Sequence, residues 1–177
     1  MIRRWLESST YLDLSFNSYS HPALCEIQHM GEKPKEFDLA GFFLLEPIKP
    51  VSVECKRYSS SGQQAKEFST FLAIAYGAAL KRIKSKARDE DRQFVWATSH
   101  PFSITKWSKL TDISELRDAV KNNQDVAGDD EFDEELGRQI IKRIWILVWN
   151  EKQEQLSLST QEVLKVWQVL ERKKEGL

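Results

Sequence analysis

The stretch EFDLAGFFLLEPIKPVSVECKRY, Glu36 to Tyr58, decides how this chain folds. Two apolar runs flank a turn bracketed by Pro47 and Pro50, and the second run is rich in valine, which is the pattern of two β-strands joined as a hairpin. Yet Asp38 stands at the entrance to the first run, and Glu54 and Lys56 interrupt the second. Charges on strands of otherwise core-like composition need either a solvated face or a task.

A hairpin centred on Ile48 pairs Gly41 with Cys55, Phe42 with Glu54 and Ala40 with Lys56. Because side chains alternate along a strand and paired residues share a face, Asp38, Glu54 and Lys56 then project from one side of the sheet. A shift of one residue would break that parity.

Working outward, Ala23–Met30 (ALCEIQHM) reads as a strand before the hairpin, with Gly31 and Pro34 marking the turn between them. A short helix over residues 2–12 and the polar SFNSYSHP precede it. Beyond the hairpin, Ser59, Ser60 and Ser61 offer hydroxyls to cap a long helix whose Phe68, Phe71, Leu72, Ala75, Ala79, Leu80 and Ile83 recur on one face. Gln93–His100 (QFVWATSH) follows as a strand able to run parallel to the third.

The expected fold is α/β, with a core over residues 1–110 made of a three-stranded antiparallel meander, a helix and a fourth strand. Residues 111–177 form a C-terminal helical extension, packed on the core or on a partner. In it, a short helix starts near Asp112 and the acidic NNQDVAGDDEFDEE makes a mobile connection. One further helix spans about Phe132 to Glu151, and a last one starts at Ser159 or Thr160 and ends near Lys173.

Composition narrows the field. The chain has 177 residues, 30% of them charged, with a formal net charge of -1. That size suits one domain, and the near-neutral balance supplies no overall basic field for nucleic acid, leaving that work to a local patch or a metal. The segment KRIKSKAR, residues 81–88, is one basic concentration that faces either solvent or phosphates. Cys25 and Cys55 make neither a disulfide framework nor a zinc motif. No apolar run is long enough to span a membrane, so a cytoplasmic protein is expected.

Two carboxylates held close together repel each other, and a hard divalent cation, Mg²⁺ or Mn²⁺, relieves the repulsion through oxygen ligands. Asp38 and Glu54 are the expected ligands, with the main-chain carbonyl of Cys55 as a third. Such a cation acidifies bound water and stabilises the charge that builds up in phosphodiester hydrolysis, and Lys56 would orient the attacking water. The competing reading is a cross-strand ion pair on a solvated face. A second E-x-K, Glu171 to Lys173, has no acid on a neighbouring strand.

Asp38 on the second strand, E-x-K at Glu54 to Lys56 on the third, and a helix directly after it resemble the PD-(D/E)XK nuclease superfamily. VECKRY and FVWATSHPFS are most similar to its Mrr-type restriction endonuclease branch. The resemblance covers roughly residues 20–105. It implies a restriction-endonuclease-like fold, catalytic roles for Asp38, Glu54 and Lys56, and a DNA endonuclease acting in restriction or defence, on DNA in preference to RNA. Glu7 or Glu26 is the candidate for an additional acid, and Gln63 or Gln64 for an accessory polar residue on the following helix. Two other arrangements remain open: a catalytically silent nuclease-fold module that binds nucleic acid or protein, and a homo-oligomer or larger complex whose partner supplies target recognition.

Overall fold

Five strands form one mixed sheet in the order β1 (Leu12–Asn17), β4 (Leu39–Phe43), β5 (Lys49–Lys56), β6 (Gln93–Thr98) and β7 (Ile144–Val148). This computed structural model describes residues 2–58, 62–88 and 90–169, so the expected capping serines 59–61 lie outside the described residues. β1, β4 and β5 run antiparallel, while β6 and β7 are parallel to β5. The helix α3 (Gln64–Lys84) makes the β5-to-β6 crossover, as a parallel pair requires.

The edge strand beside β4 is not the expected one. Residues 23–30 instead form a single helical turn, α2 (Pro22–Cys25), and a two-residue strand, β2 (Glu26–Ile27), which pairs with β3 (Lys35–Glu36) in a separate small sheet. The main sheet recruits Leu12–Asn17 instead, and the N-terminal helix α1 stops at Ile2–Ser9. The physical reason is visible in LDLSF: Leu12 and Leu14 alternate with polar residues and are buried on one face, whereas Pro22 starts a helical turn better than it enters a strand.

The sheet has a core on each side. Leu6 of α1 packs with Leu12, Leu14, Leu39, Val51 and Val53 on one face. On the other, Phe94 and Trp96 of β6 meet Phe68, Phe71 and Leu72 of α3. The helix is buried on nearly all sides from Phe71 to Ala79, because α4 (Ile113–Asn122), α5 (Gln124–Ala127) and α6 (Glu134–Ile141) cover its outer surface.

The C-terminal part differs from a purely helical extension. The helix expected over residues 132–151 ends at Ile141, and Ile144–Val148 is a strand, in keeping with the β-branched and aromatic content of IWILV. The acidic connection expected to be mobile contains α5, which lies so close to α3 that a Cβ on Gly77 would sit 2.2 Å from the Val126 carbonyl oxygen. The start of α4 at Ile113 agrees with expectation, and α7 (Thr160–Val169) begins after Ser159, whose hydroxyl accepts from the Glu162 amide while Glu162 accepts from the Ser159 amide.

Candidate active site

The hairpin register places the three charged residues. Observed pairs run from Leu39 with Val53 to Phe43 with Lys49, so their numbers sum to 92 where a turn centred on Ile48 gives 96. The third strand starts at Lys49 rather than after Pro50, and residues 44–48 make the turn. The shift is even, so side-chain parity survives. It also moves Asp38, just outside β4, to the position opposite Glu54.

Ser52, Glu54 and Lys56 project toward α3, and Val51 and Val53 toward α1. Glu54 is 5% exposed although fully polar. Lys35 Nζ from β3 lies 3.0 Å from its Oε1 and 2.9 Å from its Oε2, and Lys56 Nζ lies 3.0 Å from Oε1. Oε2 is buried and has no hydrogen bond of acceptable angle, so the Lys35 approach there is electrostatic. Lys56 Nζ also reaches Glu67 Oε2 at 3.0 Å, from the first turn of α3, and lies 5.7 Å from the centre of the Trp96 ring. Lys35 in turn lies over the Phe37 ring. The result is a chain of alternating charges lining a cavity of about 240 Å³ that Trp96, Phe71 and Ile74 floor with apolar surface.

Asp38 is exposed, and its Oδ2 accepts a 2.6 Å hydrogen bond from the Cys55 amide. Its carboxylate is thus fixed against the Glu54–Cys55 peptide. In an extended strand the N–H and C=O of one residue project to the same edge, so the Cys55 carbonyl faces the Asp38 side. The Cys55 thiol turns away toward the α1 core, and burial, reinforced by Asp38 and Glu54, pushes it up to about 12.

Burial opposes the charge on Lys56, but the hydrogen bonds it donates to Glu67 and Glu54 outweigh it and hold the lysine above its ordinary pKa. Lys56 is therefore a permanent cation at neutral pH, able to orient an anion or a water but not to act as a base. Contact with the Tyr58 hydroxyl, then with Lys56, keeps Glu67 below the usual carboxylate range. The Tyr58 hydroxyl is buried without a hydrogen bond of full geometry, yet faces Glu67 closely enough that burial and this carboxylate raise it to about 12.

The accessory candidates fall elsewhere. Glu26 is exposed on β2, beside a different cavity. Gln63 is the exposed residue before α3. Gln64 is fully buried; its amide donates to the His100 carbonyl and accepts from Trp96 Nε1, which gives it a structural role in holding the loop after β6. Glu7 accepts from the Leu14 amide on the opposite side of the sheet. Sequence reasoning missed Lys35 and Glu67. Glu67 was within reach, because it lies one helical turn beyond Gln63 and so shares its face.

Oxygen-only donors suit a hard cation. The oxygens on offer are Asp38 Oδ2, which already accepts from the Cys55 amide, the Cys55 carbonyl on the same edge, and the Glu54 carboxylate, both of whose oxygens lie within 3.0 Å of an ammonium group that a cation would have to displace. Among the described residues, no group of three or more His, Cys, Asp or Glu is arranged to hold a metal ion, so any such site relies on two carboxylates and the main chain.

No family model matches the chain, and no curated protein matches it. Among solved structures, the chain is similar to the Moraxella osloensis Cap4 SAVED/CARF-domain containing receptor, at 16% identity and a TM-score of 0.34, over 93% of this chain and 37% of that one. It thus spans well under two thirds of that receptor, and likeness at this level carries no argument here. Among the described residues, no helix is long and apolar enough to cross a membrane.

Proposed function

We propose that this chain is a metal-dependent nuclease with a restriction-endonuclease-like core, hydrolysing phosphodiester bonds in DNA in preference to RNA, in restriction or defence. The observation that carries this reading is that Glu54 and Lys56 are paired on one cavity while Asp38, from the neighbouring strand end, is held on the amide of the residue between them, Cys55. The order β1, β4, β5, helix, β6 supports it, since an antiparallel run followed by a parallel strand is what the resemblance implies.

Asp38, Glu54 and the Cys55 carbonyl would hold Mg²⁺ or Mn²⁺, which when bound supplies an acidified water and positive charge for the developing phosphorane. Lys56, fixed between Glu54 and Glu67, would hold the attacking water in line by donating to it and would offset the negative charge of the hydroxide left once its proton has passed to solvent. Trp96 and Phe71 exclude bulk water from one side, which strengthens these interactions.

The pairing of Glu54 with Lys35 favours a second reading, a catalytically silent module for binding nucleic acid or protein, because two ammonium groups already neutralise this acid. Calorimetric titration with Mn²⁺, run beside cleavage assays on DNA and RNA with Mg²⁺, Mn²⁺ or chelator, separates the two. Asp38→Ala and Glu54→Ala are expected to weaken metal binding and abolish cleavage. Lys56→Ala should abolish cleavage with metal binding unchanged or slightly tighter, since a charge that repels the cation has gone. Cleavage in chelator, or at wild-type rate in the Glu54 and Lys56 variants, eliminates this site; wild type that neither binds metal nor cleaves establishes the silent module.

A further inference from the structure

A larger cavity, of about 400 Å³, lies at the other end of α3 and shares no residue with the one beside Glu54. Its floor is the core itself, where Phe94 and Ile140 are buried, and Ile27 and Ala87 bring apolar atoms to its edge. Four cations from three places also line it: Lys81 and Arg82 in the last turn of α3, Arg92 just before β6, and Arg143 just before β7. Two carboxylates, Glu26 and Glu90, face the same space, so positive charge is in excess.

The arginines are already arranged around an anion. Glu90 bridges two of them, with Oε1 2.8 Å from Arg82 Nη2 and Oε2 3.0 Å from Arg92 Nη2, on a side chain that is 39% exposed. Arg92 is braced from behind by the Ser52 hydroxyl, and Arg143, with only 10% of its side chain exposed, is paired with Asp91 at 2.8 Å. A carboxylate bridging two guanidinium groups, with a single contact to each and Arg82 also donating to the Arg88 carbonyl, occupies a place that phosphate oxygens can take. Glu90 comes from the loop between α3 and β6 and can turn to solvent. A phosphate in its place would carry more charge and more acceptor oxygens, and would also attract Lys81, whose ammonium now reaches the Gln28 amide oxygen at 3.5 Å.

We propose that this cavity binds a nucleotide, its phosphate between Arg82 and Arg92 in place of Glu90 and its base and sugar over the apolar surface left open at Ala87 and the edge of Ile27. The volume falls within the range of roughly 300–1,000 Å³ usual for small-ligand sites. Two sources share this chemistry, a free nucleoside monophosphate and the phosphorylated end of a nucleic-acid strand. The inference stands independently of the nuclease reading.

The test is calorimetric titration of the full chain in chelator, where metal-dependent cleavage is silent. The probes are adenosine 5′-monophosphate, inorganic phosphate and a short 5′-phosphorylated oligonucleotide. At least one nucleotide probe is expected to bind more tightly than inorganic phosphate. Arg92→Gln should weaken that binding about tenfold, and Glu90→Gln should tighten it about fivefold by removing the internal competitor. Opposite signs at two partners of one ion pair are not what a purely structural network gives, and Glu90→Gln decides the matter even if Arg92→Gln fails to fold. A monophosphate that binds while the oligonucleotide does not assigns the free nucleotide, and the reverse assigns the strand end. No binding in wild type and Glu90→Gln alike, inorganic phosphate binding as tightly as the nucleotides, or affinity that neither substitution moves would overturn the proposal.

Discussion

A carboxylate seated beneath two ammonium groups responds to mutation differently from one facing another carboxylate. From sequence, Asp38 and Glu54 are mutually repelling acids whose removal relieves the metal-free protein. In the structure Glu54 has Lys35 and Lys56 as its neighbours, each less than a third exposed. Glu54→Ala is therefore expected to destabilise the metal-free protein by about 2 kcal/mol, less than a fully buried pair because both lysines can reach water. Asp38→Ala should cost about 1 kcal/mol, the loss of one charged hydrogen bond to an exposed group. Urea midpoints in chelator check the order; equal or stabilising effects would restore repulsion as the dominant force. Glu67 has its own signature. Its depressed carboxyl adds stability that is present above its unfolded pKa and lost as the pH falls through its folded value. Glu67→Gln should thus cost stability at neutral pH and nothing in strong acid. Wild-type and variant curves that stay parallel down to low pH would contradict that linkage. Glu54 and Lys56 were legible because strand alternation puts them on one face, and Asp38 joins them because the register differs from the expected one by an even number. Lys35 was not, because it reaches Glu54 from a two-residue strand whose place is set by tertiary packing.

At the scale of elements, legibility followed how local the deciding force is. The β4–β5 hairpin, α3 and β6 announce themselves through valine runs, a long apolar stripe and turn residues; α3 and β6 lie where the pattern puts them, and the hairpin forms with its turn and register moved from those expected. β1 and β7 are edge strands whose partners are distant in sequence, and short apolar runs such as IWILVW fit a helix or a strand equally well until a neighbour is available to pair with. The outer face of α3 shows the same limit. Its near-complete burial follows from α4, α5 and α6, and no periodicity in residues 64–84 foretells them. Gly77 marks how close that packing is: a Cβ there would meet the Val126 carbonyl oxygen at 2.2 Å and the Ala127 Cα at 2.9 Å. Gly77→Ala gains helix propensity but must push α5 away, and the steric cost is expected to win by about 1–3 kcal/mol. A denaturation midpoint equal to wild type or higher would show that α5 yields freely.

For the whole molecule, the question is whether residues 111–177 are an addition to a finished core. The sequence division at 110 rests on the resemblance ending near residue 105, not on any physical break. In the structure the principal apolar cluster crosses that line: Phe71, Tyr76 and Phe94 pack with Leu116, Val120, Leu136, Ile140 and Ile144. β7 continues the sheet beside β6, the Phe94 amide donates to the Arg143 carbonyl, and Trp149 is buried after its amide bonds the Thr98 carbonyl. The apolar residues of IIKRIWILVW, residues 140–149, are thus largely covered within the chain. Trp145, 44% exposed and stacked on Phe43, is what remains outside. A chain ending at residue 110 would expose the outer face of α3 and the free edge of β6 together, more apolar surface than its remaining core offsets. It is expected to lack cooperative unfolding and to aggregate, whereas the full chain should unfold in one transition with both sheet faces lost together. Near-ultraviolet circular dichroism and thermal melts of the two chains test this. A sharp, reversible melt of residues 1–110 would show that they are a domain in their own right, with the C-terminal segment free to serve a partner.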